Sequence, residues 1–197
     1  MRLPRLLTEP AATGDGNVLY LAAVGEVRSS LLDPLVRSLG AQFNCRCEVL
    51  PWRLDPEYAF HAERMQYHSS ELLEGLRRRA GSAAWRVLGV TESDLYIPIL
   101  TFVFGEAQVG GPCAVVSTFR LRQEFYGLPP DGALLQERLL KEAVHELGHT
   151  FDLPHCEDYR CAMASSHSVE WIDVKSASFC SDCRLRMGKP DQARAWP

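Results

Sequence analysis

His145, Glu146 and His149 stand within VHELGHTFDLPHC, residues 144–156. The two histidines are four apart, so on a helix they share one face about one turn apart. Two imidazoles placed that way can take one metal ion. Glu146 adjoins the first of them and projects beside such an ion rather than onto it. A water molecule on zinc there has a lowered pKa, and the carboxylate can take its proton. The same spacing also arises by chance in amphipathic helices, as two surface histidines beside a solvated glutamate. His155, six residues beyond His149, disfavours that reading. To return to the same ion, the chain must leave the helix soon after His149. Pro154 argues for that break, because it disfavours helical dihedrals at Leu153. Three histidines plus water make the open tetrahedral site that catalysis needs.

These residues need a rigid mount. The pattern predicts a long helix, about Pro130–Thr150, with Asp131 as its cap. Leu139, Leu140, Ala143, Val144 and Leu147 form its core-facing side. Upstream, the runs at residues 18–24, 45–52, 85–90, 101–106 and 113–121 read as five strands. Residues 29–43 and 68–80 have helical spacing, the second with Ser69 or Ser70 as cap. The first 16 residues read as a flexible leader. Residues 17–151 form the sheet-and-helix part. Residues 152–197 form a small appendage, too small to hold itself together by burial alone.

Composition narrows the function classes. The chain has 197 residues, 46% of them hydrophobic, which excludes a disordered polymer. With 21 Lys plus Arg against 25 Asp plus Glu, the net charge is −4, and no basic face for nucleic acid is implied. No apolar run is long enough for a signal-peptide core or a membrane span. The seven cysteines are an odd number in a chain longer than most disulfide-stapled modules. A cytoplasmic, monomeric protein with reduced thiols is the expectation.

HELGHTFDLPH resembles the metzincin zinc peptidase motif, in which three histidines and a glutamate act together. Cys156, Cys161, Met163, Cys180 and Cys183 sharpen the likeness to the archaemetzincins, a branch with a second zinc. The stretches GVTESDLYIP and FVFGEAQVGG, followed by AVVSTFRL, are similar to that family's sheet region. The resemblance implies a zincin-like α+β fold with a twisted, mixed five-stranded sheet. It implies that His145, His149 and His155 bind a catalytic zinc, and that Glu146 is the general base. Met163 is then the methionine of the Met-turn, a floor beneath the imidazoles. Cys156, Cys161, Cys180 and Cys183 hold a structural zinc, making two zinc ions per chain. The residues support this last point on their own, since two close pairs, one of them CxxC, suit a closed tetrathiolate site. A redox CxxC is the weaker alternative, because no βαβ pattern adjoins it.

The chain departs from the family pattern at Asp152, where the motif has glycine. Glycine serves there because the backbone needs a positive φ. Aspartate is one of the few side chains that tolerate it, at a cost of about 1 kcal/mol. Ser165 stands where some metzincins carry a tyrosine, so no side chain beyond the metal is assigned to the oxyanion. His167 and Tyr159 are weak candidates for that role. Cys45 and Cys47 read as a buried pair on one strand face, and Cys113 as a core thiol. His61 and His68 read as surface residues, and Arg77, Arg78 and Arg79 as a solvated helix face.

The resulting expectation is a zinc metallopeptidase acting on peptide or protein substrates, with zinc-bound water activated by Glu146. Residues 101–106 are the expected cleft edge, to which a peptide adds by backbone hydrogen bonds. The alternative is a peptide-binding module that has kept the scaffold and lost the chemistry.

Overall fold

The structure is a computed structural model that describes residues 17–81 and 84–187. The leader expected over residues 1–16 lies outside the described residues, as do residues 188–197 of the appendage.

A five-stranded sheet organises the chain. It is built from β1 (Val18–Val24), β2 (Arg46–Leu54), β5 (Arg86–Thr91), β7 (Gly105–Ala107) and β8 (Cys113–Ser117). The spatial order is β2-β1-β5-β8-β7, and only β7, at one end, runs antiparallel to its neighbour. The central strands VLYLAAV, RVLGVT and CAVVS are nearly unbroken apolar runs because both sheet faces are covered. Alternate residues go to opposite sides. Leu19, Leu21, Leu88, Val90, Ala114 and Val116 meet helices α1 (Ser29–Phe43) and α3 (Gly132–Thr150). Ala22, Val24, Val87, Cys113 and Val115 meet α2 (Ser69–Ala80).

Two expectations need correction. The strand placed at residues 101–106 shrinks to Gly105–Ala107, with Val103 making a single bridge to Leu95. The aromatic residues that suggested a strand there serve packing instead. Phe102 lies edge-on to Phe104 and under the Arg120 guanidinium. Next, Ser69 and Ser70 do not cap α2. His68 occupies the cap position, and both serine hydroxyls donate to Glu106, which ties α2 to β7. Finally, a second sheet went unforeseen. β3 (Phe60–His61), β4 (Gln66–His68) and β6 (Leu95–Tyr96) form it.

The long helix is placed by its ends. The Asp131 carboxylate accepts from the Leu134 N–H, as the cap reading required. Near the start, Pro34 of α1 cannot donate to the Ser30 carbonyl, and the Gln136 side chain of α3 donates there at 2.9 Å. At the other end, Arg86 donates to the hydroxyl and the carbonyl of Thr150 and lies over the Phe151 ring. The Gly110 N–H donates to the His149 carbonyl. A cation and an amide thus meet the negative end of the helix where its carbonyls run out of partners.

Residues beyond Phe151 fold back onto this helix. Leu153, Met163, Ile172, Phe179 and Cys183 join the same core as Leu139, Val144 and Leu147. Two short helices, α4 (Val169–Val174) and α5 (Ser181–Met187), were not anticipated. Among the described residues, no helix is long and apolar enough to cross a membrane.

Candidate metal centre and active site

α3 ends where its chemistry requires. The helix stops at Thr150, and Asp152 takes φ 63°, the left-handed conformation expected of it. That turn brings His155 back toward His145 and His149. Their ring centroids lie 4.7–5.3 Å apart, and the potential ligand nitrogens lie within 4.8 Å of one another.

Two of the imidazoles are oriented by backbone carbonyls. His145 Nδ1 lies 2.8 Å from the Ala162 carbonyl, and His149 Nδ1 lies 2.8 Å from the Leu153 carbonyl. A carbonyl only accepts, so each Nδ1 carries the proton and each Nε2 is left with a lone pair. Those two Nε2 atoms are 3.2 Å apart. Two acceptors facing each other at that distance repel unless a cation sits between them. Burial also holds all three imidazoles below their ordinary pKa, with the Lys175 ammonium adding to the effect. They are therefore neutral near pH 7, the state in which imidazole binds a metal. The donor set fits zinc, with carbonyl partners behind two of the imidazoles as metal sites require.

Glu146 is buried beside the first histidine. Burial, and after it the neighbouring Glu142 carboxylate, push its carboxyl well above the usual range, against the Lys175 ammonium. Its carboxyl rests against the backbone of Gly105 at the start of β7. A Cβ at that position would lie 2.6 Å from Glu146 Cγ and 2.8 Å from Oε1. The sequence reading missed Gly105, since one glycine at the end of an aromatic run carries no spacing information.

Met163 is fully buried and fills a notch in α3 at Gly148, one residue before His149. A Cβ on Gly148 would lie 2.3 Å from the methionine sulfur. The Met163 carbonyl accepts from the N–H of Cys156, the residue after His155.

Cys156, Cys161, Cys180 and Cys183 form a second cluster, with all sulfurs within 4.8 Å. The Cys161 sulfur accepts N–H groups of Met163 and Cys180 at 3.5 and 3.3 Å. Four convergent sulfurs, one of them held by two backbone N–H groups, suit a closed tetrahedral zinc site.

Among the remaining candidates, His167 lies near enough to His155 to help hold its imidazole below the ordinary pKa. Tyr159 and His167 are exposed. His61 and His68 flank the Tyr96 ring, and His68 is only partly exposed, not the free surface residue expected. Cys45 and Cys47 are partly exposed rather than buried, though both pack against the core. Burial pushes the Cys47 thiol up to about 12 and the Cys113 thiol up to about 11, so neither is a nucleophile. Arg77, Arg78 and Arg79 are solvated, as expected.

Comparison with known proteins agrees with this geometry. The model of peptidase family M54 matches residues 49–189. The archaemetzincin of Methanocaldococcus jannaschii is 44% identical over 169 residues, covering 86% of this chain and 92% of the relative. That of Pyrococcus furiosus is 40% identical over 178 residues, covering 87% and 92%. Among solved structures, the archaemetzincin of Archaeoglobus fulgidus complexed with malonate superposes with a TM-score of 0.75 at 38% identity, covering 86% of this chain and 99% of the other. That of Methanopyrus kandleri gives 0.76 at 37% identity, covering 90% and 97%. The chain belongs to peptidase family M54, with the archaemetzincins, and is a zinc metallopeptidase.

Proposed function

We propose that His145, His149 and His155 hold the catalytic zinc, and that Glu146 is the general base for hydrolysis of a peptide bond. The observation that carries this is the pair of facing Nε2 lone pairs 3.2 Å apart, with the Glu146 carboxyl on the adjoining residue. Zinc there would polarise the scissile carbonyl and acidify a water molecule. Glu146, raised in proton affinity by its burial, accepts the proton of the attacking water and passes it to the leaving amine. The Gly105 backbone limits where the carboxyl can swing. β7, the terminal strand of the sheet, aligns an extended peptide or protein substrate along its backbone.

We further infer a structural zinc on Cys156, Cys161, Cys180 and Cys183, making two ions per chain. The facing sulfurs support it, and four filled ligand positions leave no room for water. None of the seven cysteines is in a disulfide, which suits a protein working in the reducing cytoplasm, where we place it as a monomer.

The test is a diverse peptide library read by mass spectrometry, with the parent and Glu146→Gln proteins in parallel. Cleavage by the parent alone is the expected result. No cleavage by either, with zinc bound, would overturn the assignment and favour a peptide-binding scaffold.

A further inference from the structure

Glu142 and Lys175 form an ion pair with Nζ and Oε1 2.7 Å apart, the side chains 3% and 1% exposed. Burying both charges is costly, and apolar replacements of such pairs are often no less stable. Stability alone therefore does not account for this one, but its location does. Glu142 precedes His145 by three residues and Glu146 by four, so it lies on their face of α3. The Lys175 ammonium also donates to the Ala164 carbonyl at 3.2 Å. Ala164 follows Met163, and Ala162, on its other side, holds His145 Nδ1. The turn at Met163 is thus tied to α3 at both ends, by an imidazole at Ala162 and by the ion pair at Ala164. Between the ties, the methionine sulfur fills the notch at Gly148.

The lysine itself is held in place. Arg138 grips the Asp173 carboxylate with two contacts of 2.7 Å, and Lys141 donates to the Asp173 carbonyl at 3.1 Å. Two residues later, the Lys175 N–H donates to the Trp171 carbonyl. α4 is thereby fixed against α3, and the ammonium meets the Glu142 carboxylate as an ion pair and donates to the Ala164 carbonyl, on two different segments.

We propose that Glu142 and Lys175 are positioning residues for the metal centre: their buried ion pair locks the Ala162–Ala164 turn to the active-site helix and so fixes the His145 imidazole in its ligating orientation. The inference rests on the three-histidine zinc site proposed above.

The test is the double variant Glu142→Gln/Lys175→Met, which removes both charges together. It is compared with the parent in zinc affinity at the histidine site, by chelator competition, and in the visible spectrum after cobalt replaces zinc there. Melting temperature, tetrathiolate zinc content, kcat and KM are read alongside. The expected result is a folded protein that keeps its cysteine-bound zinc. Its histidine-site affinity falls about 10–100-fold, the loss typical when a ligand's supporting partner is removed. The cobalt spectrum shifts, and kcat falls while KM holds. If the double variant does not fold, Glu142→Gln alone is read the same way. A folded variant with parental affinity, spectrum and kcat overturns the proposal, as does loss of folding in both, which makes the pair an element of the fold. A parent that binds no metal at the histidines overturns the site itself, a separate result from unaltered affinity in the variants.

Discussion

The backbone of Gly105 and the carboxyl of Glu146 occupy adjoining space with no room for a methyl group between them. A Cβ at position 105 would lie 2.6 Å from Glu146 Cγ and equally close to the Val115 carbonyl oxygen. One of those neighbours is a side-chain carbon and the other is backbone in the sheet. Swinging Glu146 aside relieves the first contact, and the second is relieved only if β7 shifts away from β8. Gly105→Ala is therefore expected to displace both the Glu146 carboxyl and the start of β7. Overpacking of this kind costs about 1–3 kcal/mol. The expected outcome is a kcat reduced by roughly 10–100-fold, about the share supplied by a positioned general base. Metal at the two proposed sites should stay bound, because none of their histidines or cysteines is touched. Steady-state kinetics with metal analysis checks this, and parental kcat in the variant would show that Glu146 has other room to occupy.

The pH response of the histidine site follows from burial. His145, His149 and His155 are held below the ordinary imidazole value, and in the unfolded chain they return to about 6.5. A depressed folded pKa means that the unfolded chain binds protons first as the pH drops. The neutral imidazoles contribute stability above about pH 6.5, and it is lost as pH falls toward their folded values. Protein stripped of metal at this site alone is expected to melt at progressively lower temperature between about pH 6.5 and 5. The slope should be smaller in His145→Asn, which has one such group fewer. Thermal melts across that range decide the matter, and equal slopes in the two proteins would count against the assignment.

Asp152 offers a stability test that leaves the ligands alone. Its φ of 63° costs a non-glycine residue about 1 kcal/mol, less for aspartate than for most. Asp152→Gly should raise Tm by roughly 2–4 °C if that full cost is relieved. Asp152→Val should lower Tm by at least as much and weaken zinc binding, because a branched side chain resists the turn that returns His155. Differential scanning calorimetry of the three proteins would show the order Gly, Asp, Val, and a reversed order would mean that the Asp152 carboxylate makes a stabilising contact of its own.

The grouping of the three histidines was legible because it is a matter of residue type and spacing. His145 and His149 had to share a helix face, and Pro154 announced the break that returns His155. The close cysteine pairs carried the same kind of information. The central strands were legible as short apolar runs. By contrast, β3, β4 and β6 have two or three residues each, too few for any period to show. Residues 101–104 misled because the same aromatics suit a strand and a packed loop. Lys175 and Glu142 were invisible for another reason. Charged side chains usually face water, and nothing local says that these two meet across 33 positions in the core. Gly105 likewise acquires meaning only once β7 is laid against α3.

His155 and Cys156 are consecutive, so the two clusters share one stretch of backbone, but the dependence runs one way. His145 and His149 sit on a 19-residue helix capped at its start and braced by Arg86 at its end. His155 is exposed, and it leads directly into Cys156, whose N–H is held by the Met163 carbonyl. Its position therefore depends on what fixes Cys156. His149→Ala should release the histidine-site zinc and leave the cysteine site filled, with Tm nearly unchanged in the stripped state. Cys180→Ser should weaken both sites, since the segment from Cys156 to Met163 loses the anchor at its two cysteines and keeps only the ties at Ala162 and Ala164. Structural zinc contributes about 10–16 kcal/mol to small metal-dependent domains. Even a fraction of that, about 3 kcal/mol, lowers Tm by roughly 6–12 °C in a chain of this size. Metal content per chain, measured for each variant after gel filtration, is the check. The expected counts are two for the parent, one for His149→Ala and fewer than one for Cys180→Ser. A value of one for Cys180→Ser, with the histidine site fully occupied, would show that α3 and the turn at Asp152 hold His155 without help from the cysteine cluster.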